Sequence, residues 1–317
     1  MALIPMTITD AQLQHLEMVA QAYEDRSRRA EQRHQTTRGW KWYFALCGVA
    51  SDTQEFDYSP IARLQRVEEP PTVEELAWAL RNKRDFSAIG RYSGGITWEL
   101  AVGQDRFDNP VAFTIGSAII AMLRARTCGD VLVPAVADRS WSAIAAVRDG
   151  SCVATLIEDV PRARCVTDPL RVAPSDASWV FDHLANFLRL SRTPSFDIAI
   201  DAITTHAHQS NLRTAAAHLW TGVEALFGVQ FELRFRVALY VASVLEPRGQ
   251  GRIELYREMK KLYDTRSRVV HGSKVSDDVL EAHLSRVRRL LGCLICDCVE
   301  RGRVPSESEL DEMLLGQ

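Results

Sequence analysis

An arginine and a histidine stand five positions apart in Leu262-Tyr263-Asp264-Thr265-Arg266-Ser267-Arg268-Val269-Val270-His271-Gly272. A guanidinium grips phosphate oxygens through a fixed fork of N–H donors. An imidazole gives or takes a proton near neutral pH. The two together are the minimum equipment for breaking a phosphodiester without a metal ion. One stabilises charge on phosphorus-bound oxygen, and the other moves the proton.

Spacing alone is a weak signal. Arg-x4-His occurs three times, at Arg29 and His34, Arg213 and His218, and Arg266 and His271. The surroundings set the third pair apart. Upstream lies Leu219-Trp220-Thr221-Gly222-Val223-Glu224-Ala225-Leu226-Phe227, followed by Phe231-Glu232-Leu233-Arg234-Phe235-Arg236-Val237-Ala238. Glu224 is a carboxylate in an otherwise apolar block. Buried there it needs a partner, and otherwise it must point to solvent.

In the order and residues of these three blocks, the chain resembles the Apea-like branch of the HEPN superfamily. The resemblance runs from roughly Ser175 to Glu300, less than half of the chain. It implies an all-α bundle that forms a homodimer, with the two Arg–His motifs meeting across the axis. It implies a metal-independent endoribonuclease of antiviral-defence, abortive-infection or toxin type, with no cofactor. The implied partners are RNA (tRNA or single-stranded RNA) and an antitoxin or regulatory protein. His271 would act as general base or acid on the ribose 2′-hydroxyl and the leaving 5′-oxygen. Arg266 would stabilise the phosphorane, and the products would be 2′,3′-cyclic phosphate and 5′-hydroxyl ends. Ser267 stands where family members often carry Asn, Asp or His, and its hydroxyl can still bond phosphate or orient the histidine. Tyr263 and Arg268 flank the motif as supporting residues. Arg236 matches a basic position of the family, so a Glu224–Arg236 or Glu224–Arg266 contact is expected. Some family members are not nucleases. The alternative is a non-catalytic HEPN dimer that binds RNA, a nucleotide or a partner protein. Outside the family, Arg266 and His271 read as cations at a helix C-terminus.

The elements that must position these residues are helices. Leu255, Met259, Leu262, Val269 and Val270 outline an apolar stripe, and Gly272 is a suitable stop. Five helical residues turn about 500°, so Arg266 and His271 lie about 140° apart, and the length of arginine must close the gap. From 175 onward helical patterns follow one another at 176–191, 195–209, 211–227, 231–246, 252–272 and 276–301, with a short piece at 306–315. Pro194, Gly228, the Pro247–Gly251 segment, Gly272 and Pro305 punctuate them.

The first half alternates. A helix is expected from Asp10 to about His34, and a strand at Trp40–Leu46. A helix starts behind Thr72 and runs to about Lys83. A strand is expected at Ile96–Val102 and a buried helix at Val111–Arg126. Short strands follow at Val131–Val133 and Val153–Ile157, with a helix at Ser140–Val147 between them. The fold class is α+β: a mixed α/β domain over 1–174, with a sensor or regulatory role, then the all-α bundle over 175–317.

Composition sets the outer bounds. A length of 317 residues suits two domains, and 46% hydrophobic with 25% charged residues is ordinary for a globular protein. The net charge of −3 gives no global argument for nucleic acid, although Arg252 to Arg289 holds ten Lys or Arg against six Asp or Glu. Seven cysteines without framework spacing indicate reduced thiols and a cytoplasmic home. The N-terminus lacks the pattern of a signal peptide, and the most apolar run, Phe113 to Leu123, is too short to span a bilayer. The rival site is metallic: Cys293-x2-Cys296-x-Cys298 with His206-x-His208. Those cysteines fall inside an apolar helix, where Cys behaves as a small hydrophobe, so no metal is expected. A small-molecule enzyme with its pocket in the first half is a more distant rival.

Overall fold

The computed structural model describes residues 10–36, 39–104, 107–129, 131–158, 169–229, 231–270, 272 and 274–315. In chain order the elements are α1 (Asp10–Thr36), β1 (Trp40–Leu46), β2 (Val49–Ala50), β3 (Glu55–Tyr58), β4 (Ala62–Arg66), α2 (Val73–Ala79) and α3 (Lys83–Ile89). After them come β5 (Trp98–Gln104), α4 (Asn109–Thr127), β6 (Ala135–Ala137), β7 (Ala154–Leu156) and β8 (Leu170–Arg171). The remainder is helical: α5 (Pro174–Leu190), α6 (Pro194–Thr205), α7 (Leu212–Phe227), α8 (Leu233–Leu245), α9 (Gln250–Val270), α10 (Asp277–Arg301) and α11 (Glu307–Leu315). The chain is thus α+β, with a helix-rich C-terminal part.

It forms two compact units. The first comprises Met1–Cys47, Ser59–Ala112 and Val133–Glu158, and the second comprises Gly48–Tyr58, Phe113–Leu132 and Asp159–Gln317. A single cut between 174 and 175 therefore does not describe the division. Two earlier segments belong with the helical unit. Val49 and Ala50 pair in parallel with Leu170 and Arg171, and the Arg288 guanidinium donates to the Gly129 carbonyl.

In the first unit β5 is central. It pairs antiparallel with β1 (Phe44 opposite Leu100) and with β4 (Leu64 opposite Leu100), and β6 joins the far edge of β1. β1 forms because its aromatic run suits a pleated surface, and Trp40, Tyr43 and Phe44 are all buried in it. Glu99 of β5 is fully buried. Its carboxylate accepts from Gln65 Nε2 (2.6 Å), Ser140 Oγ (2.7 Å) and the Trp141 N–H (2.6 Å). Burial pushes the Glu99 carboxyl above its usual range, while these donors pull the other way.

Three first-half expectations need correction. The helix behind Thr72 has the capping box with Glu75, yet it ends at Ala79. Leu80 leaves to bridge with Cys152, and Asn82 caps a new helix, α3. The strand expected at 131–133 lies instead at Ala135–Ala137, where register with β1 and β7 decides it. The helix expected at Ser140–Val147 is a 3-10 helix over Trp141–Ala146.

In the second unit the helix boundaries follow local chemistry. Pro174 and Pro194 occupy the first positions of α5 and α6, where a missing N–H is tolerated. The Asn211 side chain accepts from the Thr214 N–H and starts α7, and left-handed Gly228 (φ 59°) ends it. α7 packs against α6, α9 and α10, and α8 packs along α9. At Gly222 the approach is close: a Cβ there would sit 2.7 Å from Ala202 Cβ. Among the described residues, no helix is long and apolar enough to cross a membrane.

Candidate functional site

α9 carries the site because its inner stripe is fixed first. Leu255, Met259, Tyr263 and Val269 are buried. Arg266 follows Tyr263 by three residues, so the two share a face and the guanidinium lies 5.4 Å from the Tyr263 ring centroid. The helix ends at Val270. Gly272 turns into left-handed space (φ 80°), with its N–H on the Val269 carbonyl at 3.3 Å. His271 lies outside the described residues.

Glu224 approaches from α7. It follows buried Trp220 by one helical turn and sits beside buried Val223. Its Oε1 is 3.2 Å from Arg266 Nη2, and Nη2 donates to Oε2 at 3.4 Å. The side chains are 24% (Arg266) and 19% (Glu224) exposed, so the pair is shielded but not sealed. Arg266 Nε is buried and has no hydrogen-bond partner among the described residues, and the same is true of Glu224 Oε1. The guanidinium is thus anchored through Nη2, and its unpaired Nε is closed to solvent. Of the two contacts expected for Glu224, the ion pair with Arg266 is present. Among the described residues none joins it to Arg236, which is half-buried on α8.

Tyr263 completes the local network. It titrates above its ordinary range. Burial is the main cause, Glu224 adds to it, and Arg266 opposes it. The Trp220 ring meets Tyr263 edge-on, with centroids 5.2 Å apart at 81°. Trp220 Nε1–H in turn donates to His283 Nε2 at 2.9 Å. His283 is therefore a neutral acceptor. It is buried on α10, which pushes it down to about 4. His283 is not among the residues that the sequence singles out. The missed signal is its place between Leu280 and Val287, three and four residues away on the buried stripe of α10.

The other expected residues are placed as follows. Ser267 is half-buried beside Arg266. Arg268 is exposed, and its Nη2 donates to Thr265 Oγ1 at 3.2 Å. Of the rival metal constellation, Cys296 and Cys298 are buried in α10 and Cys293 is exposed. Burial raises both buried thiols to about 12. His206 is buried, with its Nδ1 on the Ile203 carbonyl at 3.0 Å. Among the described residues, no group of three or more His, Cys, Asp or Glu is placed to hold a metal ion.

In comparisons with known proteins, no family model, no curated protein and no solved structure matches this chain.

Proposed function

We propose that this chain is a metal-independent endoribonuclease of the HEPN type, in the antiviral-defence, abortive-infection or toxin class, acting through Arg266 and His271. One observation carries the reading. Arg266 is held by Glu224 with 24% of its side chain still open to solvent, five residues before the histidine. The three sequence blocks behind the resemblance fall on three helices packed together, α7, α8 and α9.

In this reading the RNA 2′-hydroxyl attacks the adjacent phosphorus as His271 removes its proton. The P–O5′ bond breaks, and the 5′-oxygen leaves with a proton supplied by the imidazolium form. Arg266 hydrogen-bonds the non-bridging oxygens as charge builds on them. The products are a 2′,3′-cyclic phosphate and a 5′-hydroxyl. The family arrangement would supply a second Arg–His pair from a second copy. The first unit would then sense, restrain or position a partner.

A second reading follows from the ion pair itself. A guanidinium neutralised by Glu224 can serve as a structural pin in a binding module without catalysis. End-group analysis separates the two. The nuclease reading expects cyclic-phosphate ends and no cleavage at a site where the 2′-hydroxyl is replaced by hydrogen. Cleavage of that deoxy-substituted site would refute 2′-hydroxyl attack.

A further inference from the structure

The start of α8 and the middle of α9 expose flat rings among cations. Phe231 is 76% and Phe235 50% exposed, unusual for two phenylalanines four residues apart. Phe235 meets Tyr256 of α9 edge-on at 6.3 Å, and Lys260 Nζ lies 5.2 Å from the Tyr256 ring centroid. Lys260, Arg234 and Phe235 line a surface hollow of about 330 Å³ together with Leu233 and Glu232. Arg234 is already committed to Asp264 at 2.6 Å, and Lys260 is half-buried. The segment that presents Phe231 is bounded by left-handed residues, Gly228 (φ 59°) and Glu232 (φ 54°).

We propose that this surface is a stacking platform for single-stranded RNA, with bases on Phe231 and Phe235 and backbone phosphate at Lys260. The proposal rests on the ribonuclease reading for its choice of nucleic acid. Every base has a π-face, so exposed rings bind unpaired bases with little regard to sequence, and a neighbouring cation attracts the backbone. Paired bases in a duplex cannot open onto the rings. Lys260 precedes Arg266 by six residues of one helix, about 9 Å along its axis. Six residues also turn the helix about 600°, so the two side chains stand about 120° apart around it, and a strand on the platform must wrap α9 to reach Arg266.

The probe is a 5′-fluorescein-labelled 12-nucleotide oligouridylate, followed by anisotropy in EDTA. The full chain carrying His271→Ala is compared with the same protein also carrying Phe231→Ala and Phe235→Ala. Both rings are exposed, so the fold should persist, and circular dichroism checks it. The expected result is an affinity loss of about tenfold or more, with duplex RNA of the same length insensitive to the two substitutions. Equal affinity of the two proteins for the oligouridylate overturns the platform, as does no binding by either. Sedimentation that shows a dimer falling to monomer in the phenylalanine variant also overturns it, because a second copy then covers the rings. Cleavage of long RNA by the wild type, scored in parallel, keeps the two ideas apart. Cleavage with KM unchanged by the phenylalanine substitutions leaves the nuclease standing and the platform refuted. Ring-dependent binding without cleavage leaves the platform standing and the nuclease refuted.

Discussion

Glu224 of α7 and Arg266 of α9 face each other at 3.2 Å, each with most of its side chain withdrawn from water. The carboxylate fixes where the guanidinium rests, and the Tyr263 ring lies 5.4 Å from that guanidinium. Neither residue is an ordinary surface charge, because an exposed ion pair is worth little and tolerates loss.

The pair should therefore show energetic coupling. Glu224→Ala is expected to cost about 1–3 kcal/mol, since it leaves the part-buried Arg266 guanidinium short of its partner. Glu224→Gln keeps an acceptor and costs less. A double-mutant cycle with Arg266→Ala, read by urea unfolding, should give a coupling of at least about 0.5 kcal/mol. A coupling of zero would show that the contact contributes nothing.

His283 predicts a pH dependence. Its folded value is about 4 against an ordinary 6.5. Between these limits the unfolded chain binds a proton that the folded chain excludes, so stability rises with pH. The His283 contribution is complete above pH 6.5 and falls by about 1.4 kcal/mol per unit as pH drops toward 4. His283→Gln retains an acceptor for Trp220 Nε1 and removes the titration. Its denaturation midpoint, relative to wild type, should improve as pH falls from 7 to 4.5. A difference that does not change with pH contradicts the buried neutral imidazole.

Gly222 tests the packing of α6, α7 and α10. A methyl group there meets Ala202 Cβ at 2.7 Å, Leu291 Cδ2 at 3.1 Å and Ala199 Cα at 3.3 Å. Two of these belong to the α6 wall, one of them backbone, so relief requires the helices to part. Gly222→Ala should lose about 1–3 kcal/mol despite its better helix propensity. A gain in thermal stability would show that the helices are not so close.

In the first unit Glu99 ties β5 to the 3-10 helix. Glu99→Ala strands Gln65, Ser140 and the Trp141 N–H, each at about 1–3 kcal/mol. The expected outcome is a fall in the melting temperature of that unit larger than that of any exposed Glu→Ala, for example Glu74→Ala. Equal falls would contradict the buried network.

Much of the helical unit was legible because its signals are local. The periodicity expected at 276–301 appears as Asp277–Arg301, and Pro194 and Gly228 stand where helices begin and end. The first unit was less legible because its decisive contacts join distant residues. Leu80 leaves its helix to meet Cys152, and Ala135–Ala137 carries no β signal of its own until β1 lies beside it. At the site, Glu224 announced itself as a carboxylate in an apolar block. Whether Arg236 or Arg266 answers it depends on how α7, α8 and α9 pack, which no local pattern records. His283 was missed for the same reason, since its partner Trp220 lies on another helix.

The most direct measurement is RNA cleavage in EDTA by the wild type, His271→Ala and Arg266→Ala, using total tRNA and a long single-stranded RNA, with matched DNA alongside. The account predicts cleavage of RNA by the wild type alone, with a loss of about a hundredfold or more in each variant, and no cleavage of DNA. Equal cleavage by all three proteins, or none by the wild type while RNA still binds, would contradict it.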